Sequence, residues 1–305
     1  MAPNLDPSSQ QFLYLLNRIQ TRMNTAQMQM SSGLRVNTAA DAPDEISSLL
    51  QLHADIAQNQ EIQTTLGRVK NEVDTGEQAV SSAVDLVQQA SVLATQATGP
   101  LQTATTRATM AQQVQGIMEQ MVSLSRTTVD GRYIFGGDLD QSPSYQIDLN
   151  APTGVDRLQN ATDTRQVLAP DGSTFPVSLS ANQIFDVRDI MDQPASGNVF
   201  AALNGLRVAL LANDTTGINT SISQLQAAST YINDQLALYG QTQNRVAASL
   251  SDAQNADVRL RAELSSKQDA DVAAASLEMT QSQTQLQASL TSRAKMPNTS
   301  LFELL

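Results

Sequence analysis

The sequence predicts a mainly α protein: an elongated antiparallel helical bundle or coiled-coil rod formed by both chain ends, with a small β-rich outer domain inserted between them. Three observations carry that expectation. Apolar residues recur in alternating steps of four and three at both ends, the seam of a coiled coil. Residues 131–196 hold five of the ten prolines and five of the eleven aromatics, so the chain changes character there and the helical pattern stops. Beyond that stretch long helical stripes resume, and a chain that leaves as helices and returns as helices pairs them antiparallel.

Taken in order, the first stripe is Phe12, Leu16, Ile19, Met23, Ala26 and Met30. It stops at "SSGLRVNTAADAP", Ser31 to Pro43, where Gly33 suits the left-handed end of a helix. Asp41 is the expected N-cap of the next helix, with Pro43, Asp44 and Glu45 in its first turn. A second stripe uses Ile46, Leu49, His53 and Ile56, then shifts phase and runs from Ile62 through Leu66, Val73, Val80 and Val87 to Ala94. Gly67 and Gly76 weaken this helix without ending it, and Gly99-Pro100 ends it. Met110, Val114, Ile117, Met121 and Leu124 mark a third helix. The middle regime reads as short strands, "RYIFGG", "SYQIDL", "RQVLA" and "TFPVSLS", the last two flanking a Pro-Asp-Gly turn. Val199, Leu203, Leu206 and Leu210 make a short helix that Gly217 is expected to break. The longest stripe follows, from Ile222 through Leu225, Ile232, Tyr239, Val246 and Ala253 to Leu264, with a register slip at Lys267–Asp271. Val272, Met279, Leu286 and Leu290 carry a last seam, and "NTSLFELL" closes the sequence.

This divides the chain into terminal coiled-coil assembly segments (1–35 and 270–305), a helical rod domain (36–130 and 197–269) and the insert (131–196). The terminal seams are narrow and belong to helices too thin to bury them alone, so partner molecules are expected to supply the missing surface.

Composition removes several function classes. A net charge of −12 and a pI near 4.4 argue against nucleic acid and anionic membranes as partners. With no cysteine and one histidine, an ordinary zinc site, a thiolate nucleophile and a disulfide framework are not expected. No apolar run approaches the roughly 20 residues of a membrane span, and "MAPNLDPSSQ" has neither the basic nor the apolar region of a cleavable leader. His53 falls on an apolar stripe and reads as a packed or partly solvated helix residue. Asp138, Asp140, Asp186, Asp189 and Asp192 lack the spacing of a calcium loop and read as turn and surface groups. Gly136-Gly137 lacks the context of a phosphate loop. Met23, Met30, Met110 and Met121 sit at helical core spacing. No catalytic, cofactor-binding or metal-ligating constellation emerges, so an enzyme is not expected and no cofactor is assigned.

Three motifs carry a resemblance. "MSSGLRVNTAAD", Met30 to Asp41, is similar to the end of the first flagellin helix, and "DADVA", Asp269 to Ala273, to the start of the flagellin C-terminal helix. "SLFELL" at Ser300–Leu305 resembles the family ending. Within that superfamily "DGRYIFGG", Asp130 to Gly137, is similar to the start of the outer domain of the hook-associated protein 3 family, and the modest length and small insert fit those hook–filament junction adaptors. "NTAADAP" and the second helix are flagellin-like throughout, which keeps a filament flagellin as the alternative. A non-flagellar coiled-coil signalling or tethering module is the second alternative.

The resemblance implies a structural protein of the bacterial flagellum, self-assembling through its terminal helices. Implied partners are further copies in a helical assembly, neighbouring hook-associated protein and flagellin subunits, and a cytoplasmic export chaperone on the C-terminal helix, with no nucleic acid and no membrane. Secretion through the flagellar type III channel to the extracellular flagellum is implied as well. Candidate assembly residues are Phe12, Leu16, Ile19, Met23, Met30, Val272, Met279, Leu286, Leu290, Leu301 and Leu304. Candidate joint residues are Gly33, Arg35, Asn37 and Asp41. Some flagellins carry arginines in the stretch corresponding to Ala83–Thr98, where host receptors bind. Gln89 and Ser91 stand there instead, so that recognition is not expected.

Overall fold

A computed structural model describes residues 7–161 and 163–295. Seven α-helices lie among them: α1 (Pro7–Ser32), α2 (Ile46–Ala97), α3 (Ala104–Ser125), α4 (Ala181–Ile184), α5 (Val199–Leu211), α6 (Thr215–Gln268) and α7 (Val272–Lys295). Three two-stranded antiparallel hairpins occupy the middle of the chain: β1 (Thr128–Val129) with β2 (Arg132–Tyr133), β3 (Tyr145–Ile147) with β4 (Val155–Arg157), and β5 (Gln166–Leu168) with β6 (Thr174–Pro176). The fold is mainly α, with small sheets in an inserted region, as the sequence predicts.

Contacts gather into two compact units. Among the described residues one joins 7–58 to 256–295; the other lies within 59–255.

In the second unit α2 and α6 are antiparallel. Asn59 Nδ2 donates to the Ala253 carbonyl at 2.8 Å, and Gln243 Nε2 to Asp74 Oδ1 at 3.1 Å. Gly76 lies under Tyr239, whose ring carbon would stand 2.7 Å from a Cβ there, so glycine lets the aromatic ring settle on α2. The stripe Leu66, Val73, Val80, Ala83, Val87, Ala90 and Ala94 is buried, together with Met110, Val114, Ile117 and Met121 of α3. Phe135, Phe185 and Tyr145 continue this core into the insert, packed on Phe200 of α5, with Phe135 edge-on to Phe185 at 5.7 Å.

Polar groups brace the insert from within. The Asp186 carboxylate is fully buried and accepts from Asn198 Nδ2 (2.6 Å), Arg188 Nε (2.9 Å) and the Tyr145 hydroxyl (3.3 Å). Burial pushes the Tyr145 phenol far above its ordinary range, so it stays a donor. Capping follows short-range rules: the Thr103 side chain accepts from the Thr106 amide to start α3, Asn198 from the Ala201 amide to start α5, and Ser180 with Gln183 forms a capping box on α4.

Two sequence expectations are corrected here. Asp186, read as a turn or surface group, is instead the buried carboxylate just described. Gly217 does not break the chain, because α6 already begins at Thr215 and Asp214 Oδ1 accepts from the Thr216 amide. The break lies at Ala212–Asp214, and Gly217 keeps the first turn of α6 clear of Ala209, which a Cβ would meet at 3.0 Å. His53, expected packed or partly solvated, lies on the solvated side of α2. The buried positions run Leu49, Leu52, Ile56 and Asn59, in steps of three, four and three, which turns His53 onto the flank.

Candidate assembly interface

The first unit is built on α1 and α7. Arg22 Nε donates to Glu278 Oε1 at 2.6 Å and Arg293 Nη2 to Ser9 Oγ at 2.7 Å, with the Arg293 guanidinium 5.7 Å from the centre of the Phe12 ring. As one number rises the other falls, so the two helices are antiparallel. Phe12, Leu16, Ile19 and Met23 are half-buried, and Ala26 is almost fully buried. On α7 the packed positions are Ala275, Met279, Ser282, Leu286 and Ser289, alternating four and three. The buried members of that seam are small: Ala26, Ala275 and Ser282 let the backbones approach closely, and the larger residues remain half open.

Several candidates lie elsewhere. Met30 is 38% exposed, and Val272 and Leu290 are about half exposed, off the α1–α7 contact. Leu301 and Leu304 lie outside the described residues. Leu13, Tyr14, Leu15 and Leu277, which the sequence reading passed over, are also exposed. On α7 the large apolar residues Val272 and Leu290 pull the stripe off the contact face; the four-three spacing from Met279 leads to Ala275 and Ser282 instead.

The two breaks in helical pattern, at Gly33–Asp41 and at Lys267–Asp271, meet in space. Gly33 has φ +72 and donates its amide to the Gln29 carbonyl at 2.9 Å, closing α1 with the left-handed residue that only glycine adopts cheaply. Its carbonyl accepts from the Ala270 amide at 2.9 Å, and the Arg35 amide donates to the Gln268 carbonyl at 2.7 Å, so Leu34 and Asp269 form an antiparallel bridge. Arg35 reaches Glu45 Oε2 at 2.6 Å and also donates to the Lys267 carbonyl. Asn37 Nδ2 donates to the Leu34 carbonyl at 3.0 Å. Lys267 Nζ donates to Ser48 Oγ at 2.6 Å. Beneath this ring of polar contacts Val36, Ala42 and Leu49 form a small core of their own, packed by Ile46 and Leu264. Asp271 caps α7, its carboxylate accepting from the Ala273 and Ala274 amides.

Asp41 is the correction in this joint. It does not cap α2, which begins at Ile46. Its carboxylate turns back and accepts from the Thr38 amide at 2.7 Å and the Asn37 amide at 3.0 Å. Those amide donors hold the Asp41 carboxyl below the usual carboxylate range. A turn whose Glu45 amide donates to the Ala42 carbonyl leads into α2 instead. An Asp ahead of a Pro-Asp-Glu run looks like a cap from sequence, but an Asx-type bond to earlier amides satisfies the same carboxylate first.

Each strand of this joint lies in a segment with known relatives. The bacterial flagellin N-terminal helical region matches residues 5–139, and the bacterial flagellin C-terminal helical region matches residues 211–305. The chain belongs to the bacterial flagellin family. Among individual flagellin-family proteins, flagellar hook-associated protein 3 of Escherichia coli is 27% identical over 176 residues. That match takes in 50% of this chain and 55% of the relative, so the chain spans about half the length of the curated relative it matches. A putative flagellar hook-associated protein from Vibrio parahaemolyticus shares the fold at a TM-score of 0.65 and 14% identity, covering 75% of this chain and 100% of that one. The flagellar hook-associated protein-3 of Legionella pneumophila does so at 0.60 and 12% identity, covering 72% and 98%. In this family setting the likeness of the two solved structures concerns the fold.

No helix among the described residues is long and apolar enough to cross a membrane.

Proposed function

We propose that this chain is a structural subunit of the bacterial flagellum, the adaptor between hook and filament, and that it assembles with further copies of itself through its terminal helices. The observation that supports this most is the placement of the two flagellin regions on the two chain ends, with a small β-rich insert between them, in a chain whose curated relative is a flagellar hook-associated protein 3. The α1–α7 pair buries small residues and leaves Leu13, Tyr14, Leu15, Leu277 and Leu290 in water. Apolar stripes of this kind on paired thin helices favour burial by neighbouring subunits. Phe12, Leu16, Ile19, Met23, Met30, Val272, Met279, Leu286, Leu290, Leu301 and Leu304 are the proposed assembly residues. Gly33, Arg35, Asn37 and Asp41 act as the joint: Gly33 and Arg35 bond across to the second break, while Asn37 and Asp41 hold the first loop in shape. The role is structural and needs no catalytic group or cofactor.

Partners are neighbouring hook-associated protein and flagellin subunits. An export chaperone covers the C-terminal helix before the chain passes through the flagellar type III channel to the extracellular flagellum.

Gene deletion tests this reading. The expected phenotype is hooks without filaments and flagellin shed into the medium, restored by the wild-type gene. Normal filaments on normal hooks would overturn it. Loss of the filament subunit itself, with a functional junction left in place, would favour the filament flagellin alternative.

A further inference from the structure

Between the extended run after β6 and the middle of α6 lies an open pocket of about 290 Å³. Its walls are largely apolar, with Pro176, Val177 and Leu179 from the run and Leu238 from α6. Two hydroxyl groups stand among them, and each carries a proton that nothing accepts. Ser178 is 6% exposed, and among the described residues its buried hydroxyl oxygen has no hydrogen-bond partner. Tyr239 is 2% exposed; its hydroxyl takes a long bond from the Leu179 amide at 3.4 Å, and no described residue accepts from it. Burial pushes that phenol well above its ordinary range, so the proton stays in place. The Thr242 hydroxyl on the same wall is already spent, donating to the Leu238 carbonyl at 3.1 Å. Folded chains pair nearly all their buried hydroxyls, so two unspent donors in one pocket call for an acceptor from outside the chain.

Both donors are held in place. The Tyr239 ring settles on Gly76 and lies edge-on to Phe135, with ring centres 6.3 Å apart. Ser178 is fixed on either side, because the Val177 amide donates to the Arg165 carbonyl at 2.9 Å and the Leu179 amide reaches Tyr239. The mouth adds no net charge: Arg245 stands over the Phe175 ring at 4.5 Å and has Asp171 as a charge neighbour. Water suits this space poorly, since an ordered water needs two to four polar partners and most of the wall offers none. The volume lies at the lower edge of small-molecule sites, which run from about 300 to 1,000 Å³.

We propose that this pocket binds a small neutral ligand, an aliphatic body bearing a carbonyl oxygen that accepts from the Ser178 and Tyr239 hydroxyls. The body covers Pro176, Val177, Leu179 and Leu238 and takes their apolar surface out of water. Two donors and no free acceptor exclude a cationic head, and the balance of Arg245 against Asp171 leaves a carboxylate without advantage. The site lies outside the terminal helices, so its failure would leave the assembly reading untouched.

N-methylcaprolactam is a suitable probe, a neutral aliphatic ring with a carbonyl and no donor of its own. It is titrated into the purified full chain carrying isotope-labelled leucine and valine methyl groups. Saturable NMR shifts are expected at Val177, Leu179 and Leu238, and the carbonyl stretch of the bound probe should move to lower frequency. Ser178→Ala and Tyr239→Phe should each weaken binding roughly two- to tenfold, the loss of one hydrogen bond, and return part of that stretch. Ser178→Ala deletes an unpaired hydroxyl, so its circular dichroism and thermal midpoint should match the wild type. Leu238→Gln, at a position 43% exposed, should weaken binding while leaving the stretch of the bound probe low. Shifts that never saturate, shifts scattered over the surface, or binding and stretch unchanged in Ser178→Ala overturn the proposal. Pivalate binding more tightly than the lactam would make Arg245 the anchor and overturn it as well.

Discussion

Gly33→Val isolates what the joint demands of its backbone. Gly33 lies at φ +72, and a Cβ built on it meets no atom within 4 Å. Beyond the adjacent residues nothing crowds the Cβ, so the penalty at that atom is conformational, on the order of 1–2 kcal/mol for an L-residue held in the left-handed region. Val, branched at Cβ, should sit at the upper end, and Asn, which tolerates that region, well below it. The bonds at risk are specific: Gly33 amide to Gln29 carbonyl, Ala270 amide to Gly33 carbonyl, and Arg35 amide to Gln268 carbonyl. Native-state hydrogen exchange at the Arg35 and Ala270 amides reads this local opening directly. We expect exchange about 5–30-fold faster in Gly33→Val, the factor that one to two kcal/mol implies. Gly33→Asn should change it much less, and the circular dichroism should stay helical in both. If Asn accelerates exchange as much as Val, or if neither does, the left-handed backbone is not what holds the joint.

Other expected outcomes follow from the same geometry. Because amide bonds lower the Asp41 carboxyl, the stabilisation of its loop is fully present above the ordinary carboxylate value of 3.8 and is lost as pH falls through the lower folded value. The Asn37 and Thr38 amide shifts in NMR should hence stay constant from neutral pH down to that range and move below it, and Asp41→Asn should remove the transition. Gly154→Ala should be far worse than Gly33→Ala. Its Cβ would press on Met118 Cε and stand 2.9 Å from Asn204 Cγ at φ +74, adding about 1–3 kcal/mol of overpacking to the backbone strain, readable in the urea midpoint. Asp186→Ala removes the buried acceptor shared by Asn198, Arg188 and Tyr145 and should destabilise by roughly 3–5 kcal/mol in thermal melts of the full chain, with Asp186→Asn recovering part. Leu286→Asp puts a charge on the half-buried face of α7 and should leave a soluble helical monomer that no longer sediments as polymer.

Much of the fold was legible because long helices announce themselves through repetition. The stripe from Leu66 to Ala94 fell on buried positions throughout, and Pro-Asp-Gly placed the β5–β6 turn. What escaped reading is set by tertiary contact. Val155–Arg157 is a three-residue strand with no periodicity of its own, visible only as the partner of β3. His53 and Leu52 are both compatible with a stripe through Leu49, and only the packing of the completed helix chooses Leu52. Asp41 satisfies a capping rule and a turn rule at once, and sequence does not rank them. At the candidate interface Gly33 was readable, since a glycine at a helix end has a conformational reason to be there. Its partner strand at Gln268–Ala270 was not, because it lies more than two hundred residues away and pairs through the backbone alone.

That last pairing orders events during folding. The unit formed by residues 59–255 is one continuous stretch of chain, whereas the unit containing the Leu34–Asp269 bridge draws on both ends. Closing that bridge in an unstructured chain means closing a loop of about 240 residues. Once Asn59 is tied to Ala253, the free segments between that tie and the bridge total only about 40. At about 0.6 kcal/mol per doubling, the difference lightens the closure by roughly 1.5 kcal/mol. The middle of the chain is therefore expected to fold first and to act as the clasp for its ends. A chain emerging lengthwise, whether from a ribosome or from a narrow conduit, stays unable to complete its terminal unit until its last residues are free.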